Sequence, residues 1–120
     1  MIEQIPTLPA NTAGFRAIGD VNVEDYDRVV IPVIEELLSR QDRINFLFVL
    51  DTSLSDFTIG AIAKDMGVGL KHFSKWRKMA IVTDSKAIEI FTNAFSYVTP
   101  GEAKGFPHHK LDEAILWVSS

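Results

Sequence analysis

Cysteine is absent from the 120-residue chain, which excludes a disulfide scaffold, a zinc ribbon and thiol catalysis and is compatible with a reducing compartment. Long apolar runs are absent too. The longest strongly apolar stretch, Phe46 to Leu50, falls far below the ~20 residues that span a bilayer, and Glu3 stands where a secretory signal wants positive charge. There is no internal repeat, low-complexity run or Pro/Gly/Ser linker, and 47% of the residues are hydrophobic, so disordered and collagen-like classes are excluded. Missing as well are the G-x-S-x-G elbow, a Walker-type loop and a dinucleotide fingerprint, since Gly67-Val68-Gly69 alone is too short a signal. The expectation is one soluble, cytoplasmic domain over residues 1–120, able to bury a core without staples, with no cofactor and no enzymatic activity.

Positive charge is in short supply. The net charge is -4, which argues against a general nucleic-acid binder. It is also uneven: residues 1–56 carry -6 and residues 57–120 carry +2. Lys71, Lys75, Arg77 and Lys78 supply most of that excess.

What is present reads as strands alternating with helices. Ile2 to Leu8 and Gly14 to Val21 flank the turn-rich Pro9-Ala10-Asn11-Thr12-Ala13, which predicts a hairpin whose first strand Pro6 confines to a sheet edge. Asn22 then caps a helix in which Val23, Tyr26, Val29, Val30, Val33, Ile34, Leu37 and Leu38 recur at helical spacing through to Arg40. Pro32 interrupts it, and a kink is expected there. Ile44 to Leu50 and Met79 to Val82 are continuous β-prone runs of the kind buried on both faces of a parallel sheet. Ser85 opens a helix containing Ile88, Phe91 and Phe95, stopped by Pro100-Gly101. A short edge strand at Ala103 to Phe106 and a last helix from about Leu111, with Ala114, Ile115 and Val118 inward, complete a mixed sheet with helical crossovers.

Several motifs in this order carry a family resemblance: Glu24-Asp25-Tyr26 at the start of the long helix, Ile31-Pro32 within it, Gly69-Leu70-Lys71-His72 in the middle, and Pro100-Gly101-Glu102. Over nearly its whole length the chain resembles the SpoIIAA-like family of small bacterial proteins, relatives of the STAS domain. The resemblance implies an α/β, STAS-like fold, also likened to CRAL-TRIO, with a mixed sheet of four to five strands packed with about four α-helices. It implies ligand binding or membrane association rather than a reaction. STAS proteins that antagonise anti-sigma factors carry a phosphorylatable serine at the start of the helix after a central strand. The corresponding stretch here, Asp56 to Ile62, keeps a hydroxyl only as Thr58, the candidate regulatory residue, with Ile59 where a second polar group would fall.

Two stretches are suited to a function. The first runs from Phe57 to Trp76, where Gly60, Gly67 and Gly69 interrupt an apolar crossover helix, each at a cost of about 1 kcal/mol relative to alanine. A broken helix with Phe57, Ile62, Met66, Leu70 and Phe73 as candidate contacts to a small hydrophobic or lipid-like ligand follows. Beside it, Lys71, Lys75, Trp76 and Lys78 interleave cations with an aromatic, a pattern suited to peripheral contact with anionic headgroups at the inner membrane face; the plain alternative is a core crossover with a solvated basic end. The second stretch is the carboxyl ends of the parallel strands, where Asp51, Thr52 and Ser53 follow one strand and Thr83, Asp84 and Ser85 the next. His72, His108 and His109 are the only imidazoles; the adjacent pair does not readily face one point, and no metal or catalytic role is assigned to any of them.

The leading expectation is a non-catalytic STAS-like module that binds a hydrophobic ligand or a membrane. The alternative is a regulatory domain that binds a protein partner. The exposed apolar face that an open 57–76 segment would present predicts a homo-oligomer.

Overall fold

The computed structural model describes residues 1–51, 75–84, 86, 93 and 101–120. Five strands form one sheet in the order of the sequence: β1 (Ile2–Gln4), β2 (Thr12–Ile18), β3 (Ile44–Asp51), β4 (Trp76–Val82) and β5 (Glu102–Phe106). β1 runs antiparallel to β2, with Ile2 opposite Ala17, and the other three pairings are parallel. The expected hairpin is therefore present but shorter. β1 stops before Pro6, which has no N–H for the ladder, although Ile5 still donates to the Gly14 carbonyl at 2.9 Å. β2 stops at Ile18 because Gly19 turns the chain with φ 60°, a left-handed conformation that glycine adopts without steric cost.

The long helix begins as its sequence predicts. The Asp25 N–H donates to Asn22 Oδ1 at 3.2 Å, and the Asn22 N–H donates to Asp25 Oδ2 at 2.9 Å, a reciprocal box that satisfies two end donors. Pro32 is accommodated by a change of helix type. After one α turn, α1 (Val23–Asp25), the chain widens to a π stretch at Tyr26–Val30, closed by the Ile31 N–H on the Tyr26 carbonyl, and then resumes as α2 (Ile31–Arg40). Pro32 thus falls in the first turn of a fresh α segment, where a missing donor costs little.

β3 is buried on both faces, as a central parallel strand should be. On one face Ile44, Phe46 and Phe48 join Phe15, Tyr26, Ile34, Leu37 and Trp76; on the other Leu47 and Val49 join Ala80, Val82, Phe106, Ala114 and Val118. The second face is covered by a 3-10 turn at His108–Lys110 that runs into α3 (Leu111–Ser119). Ala114 and Val118 are buried there and Ile115 packs alongside, as the spacing predicts. Among the described residues there are two helical units, the α1–π–α2 rod and α3, against the roughly four helices expected. The helix expected from Ser85 lies outside the described residues except for Lys86 and Asn93, both helical.

β4 begins three residues earlier than its apolar run. Ile44 pairs with Trp76 but Asn45 pairs with Lys78, so Arg77 is the extra residue of a β-bulge. Two residues instead of one therefore separate Trp76 from Met79, and both pack toward the same core. Gly101 lies against this bulge. A Cβ there would stand 2.5 Å from the Arg77 carbonyl oxygen and 2.6 Å from that of Trp76, so only glycine lets β5 enter the sheet beside it.

Candidate functional site at the carboxyl end of the sheet

Each parallel strand delivers a polar residue to the same end of the sheet. Asp51 is the last residue of β3, Asp84 lies two beyond β4, and His108 lies two beyond β5. Arg16 projects from β2 on the same face as Leu47 and Val49, and its side chain runs toward the end of β3. These four residues form one chain of polar contacts. Arg16 Nε stands 3.0 Å from Asp51 Oδ2, His108 Nε2 stands 2.8 Å from Asp51 Oδ1, and His108 Nδ1 stands 2.9 Å from Asp84 Oδ2. The ring and guanidinium N–H bonds are not aimed along these contacts, so they are close polar contacts rather than directed hydrogen bonds.

Asp84 also grips the backbone. Its Oδ1 accepts the His108 N–H at 3.1 Å, which caps the turn leading into α3 from a neighbouring strand, a place where Pro107 supplies no side-chain cap. That backbone hydrogen bond, followed by the contact with the His108 ring and the charges of His108 and His109, holds the Asp84 carboxyl below its ordinary value. Asp84 nevertheless remains 74% exposed, while the His108 side chain is 32% exposed, so the site is a wet rim and not a sealed pocket. Thr83, by contrast, is buried, and its N–H donates to the Phe106 carbonyl at 2.8 Å.

The two strand-end aspartates expected from the sequence are thus brought together, and between them stands His108, to which the sequence assigns no role. His108 lies 57 residues from Asp51 in the chain. Its signal was positional: it follows an edge strand at the same remove as Asp84 follows β4. His109 does not take part in these contacts and is exposed. Thr52, Ser53 and Ser85 lie outside the described residues. Among the described residues no group of three His, Cys, Asp or Glu side chains is arranged to hold a metal ion.

The candidate ligand contacts Phe57, Ile62, Met66, Leu70 and Phe73, the candidate regulatory Thr58, and Lys71 of the basic stretch all lie outside the described residues. Of the rest, Lys75 is exposed. Trp76 is not a surface aromatic: it is 5% exposed, and its ring meets that of Phe46 edge-on at 5.4 Å. Lys78 turns back on α3, donating to the Trp117 carbonyl at 3.0 Å and Ser120 Oγ at 2.8 Å, with its ammonium over the Trp117 ring. Arg77 donates to Asn45 Oδ1 at 3.1 Å and to the Ser120 carbonyl. Two successive cations reach the same helix end because the bulge suspends strand alternation, and there they complement the negative pole of α3. Among the described residues no helix is long and apolar enough to cross a membrane.

Comparison with known proteins agrees with this architecture. The family model described as SpoIIAA-like matches residues 12–119. An uncharacterized protein from Shewanella loihica PV-4 with a SpoIIAA-like fold superimposes with a TM-score of 0.76 at 26% identity, over 98% of this chain and 93% of its own. No curated protein matches the chain. The match of the family model over residues 12–119 places the chain in the SpoIIAA-like family.

Proposed function

We propose that the chain is a non-catalytic STAS-like module, a regulatory domain of the anti-sigma-factor-antagonist type, and that it binds a protein partner at the carboxyl end of its sheet. The observation that supports this reading is the convergence of four strands on the Arg16, Asp51, His108 and Asp84 rim, the end at which open α/β sheets take their ligands. The rim suits recognition better than chemistry. Both ring nitrogens of His108 face carboxylates, so the imidazole turns neither nitrogen toward a nucleophile. A half-exposed, charge-matched surface is instead the kind that fixes register with a partner.

Site-specific photo-crosslinking in cells tests the reading. A crosslinker at Asp20, exposed just beyond β2, is expected to yield a discrete protein adduct that one at Asp42, exposed at the opposite end, does not. Asp51→Arg should abolish the adduct, and Thr58→Glu should weaken it if Thr58 is the regulatory site. Equal adducts from both ends, or none from Asp20, would refute the assignment. The lipid-like ligand and membrane readings rest on Phe57, Ile62, Met66, Leu70 and Phe73 with Lys71 and Lys75. A hydrophobic molecule retained through purification, detected by native mass spectrometry, would shift the assignment to them.

A further inference from the structure

We propose that the amino end of the sheet binds an oligophosphate, a ligand with two or more linked phosphate groups, through Arg43, Lys75 and Arg77. This end lies opposite the partner rim, so the two readings stand or fall separately. The three cations are chain neighbours of one pair in the sheet, Ile44 of β3 opposite Trp76 of β4. Arg43 and Arg77 cross that seam in opposite directions. Arg43 donates to the Trp76 carbonyl at 2.7 Å and to that of Lys75 at 3.3 Å, while Arg77 donates to Asn45 Oδ1 and to the Ser120 carbonyl. Asn45, 3% exposed, is itself fixed by donating to the Asn11 carbonyl at 3.1 Å. Both guanidiniums are therefore held in place before any ligand arrives.

What they lack is a negative charge. The other described arginines, Arg16, Arg28 and Arg40, each stand beside a carboxylate, those of Asp51, Asp25 and Glu36. Among the described residues Arg43, Lys75, Arg77 and Lys78 have none, and every acceptor they reach is a neutral oxygen. Tying down the backbone does not require the charge, since Gln41 and Asn45 satisfy carbonyls at the same end with neutral amides. Lys78 is spent on the end of α3, whose negative pole offsets about half a charge. Arg43, Lys75 and Arg77 are left uncompensated in a chain of net charge -4. Each guanidinium keeps more than half of its N–H donors free, and Lys75 is exposed. Guanidinium forks match phosphate oxygens in pairs, and cations spread along a seam suit linked phosphates better than a single one. Asp42 beside Arg43 and Glu36 beside Arg40 are exposed and would meet any broad anionic plane, so a compact free ligand fits this end better than a lipid headgroup.

The test titrates the full chain with sodium tripolyphosphate, inorganic phosphate and sulfate at matched ionic strength, followed by calorimetry and by amide and arginine Nε–H shifts. Tripolyphosphate is expected to bind about tenfold more tightly than inorganic phosphate and to move the resonances of Arg43, Lys75 and Arg77. Arg43→Gln should weaken it about tenfold, Lys75→Gln about two- to fivefold, and Lys110→Gln, in the turn at the other end, not at all. The Lys75 ammonium has no hydrogen bond or ion pair among the described residues, so its variant tests the site should Arg43→Gln misfold. Phosphatidylcholine vesicles with and without cardiolipin, which carries two phosphates, separate the sources. Binding to the cardiolipin vesicles that Lys75→Gln weakens assigns the site to a headgroup, and tripolyphosphate binding without it assigns the site to a free ligand. Tripolyphosphate no tighter than sulfate, shifts spread equally over both ends of the sheet, or affinity unchanged in both Arg43→Gln and Lys75→Gln overturns the site.

Discussion

Replacing Gly101 by alanine tests whether the β4 bulge is held by backbone packing. The added Cβ would stand 2.5 Å from the Arg77 oxygen, 2.6 Å from the Trp76 oxygen and 2.9 Å from the Arg77 carbonyl carbon. Carbon–oxygen contacts settle at about 3.3–3.6 Å, so the two segments must part by about 0.8–1 Å. Backbone cannot rotate away as a side chain can. The Trp76 carbonyl also accepts the Arg43 guanidinium at 2.7 Å, and parting the strands strains that bond and the Lys78 pairing with Glu102. Overpacking of this kind costs about 1–3 kcal/mol, against about 0.4–1 kcal/mol gained by stiffening the unfolded chain. A net loss of about 1–2 kcal/mol is expected, read as a fall in the urea midpoint of about 0.5–1 M. Gly14→Ala supplies the contrast. Its Cβ would come still closer, 2.0 Å, but to Leu8 Cδ1, the end of a flexible side chain. Its net effect should lie within about 1 kcal/mol of zero. A wild-type midpoint for Gly101→Ala would show that the backbone contact relaxes without cost, and a larger loss from Gly14→Ala would show that closeness rather than rigidity sets the cost.

Trp76→Ala should destabilise the protein by about 3–5 kcal/mol in equilibrium unfolding, because it empties a buried site beside Phe46; Trp76→Phe should leave any co-sedimentation with anionic vesicles unchanged, and a selective loss of vesicle binding would return the indole to the surface. Leu37→Ala, at a side chain 1% exposed on α2, should cost about 2–5 kcal/mol, and a loss below about 0.5 kcal/mol would mean the inward face of the helix is misassigned. Because the Asp84 carboxyl is lowered from 3.8, its contribution to stability is present above that value and is lost as pH falls through the lower folded one. The stability gap between wild type and Asp84→Asn should therefore close on acidification below about pH 4, measured by urea midpoints; a gap constant down to pH 2 would contradict the pairing.

Local pattern was enough for the elements whose residues all lie close in the chain. The helical spacing from Val23 to Leu38, the Asn22 cap and the two-faced burial of Ile44 to Leu50 follow from side-chain period and polarity alone. So does the placement of Asp51 and Asp84 at strand ends, since each ends an apolar run. Three features depend on contacts between distant segments. The bulge at Arg77 breaks the period that would have shown Trp76 to be a core residue, and it arises from the fit of β4 against β3 and Gly101. Pro32 predicts a kink, but whether a helix bends or widens to a π stretch is settled by packing on the sheet. His108 has nothing in its neighbourhood in sequence to mark it. Only sheet order, which sets the ends of β3, β4 and β5 side by side, brings its two nitrogens between two carboxylates separated by 33 residues of chain.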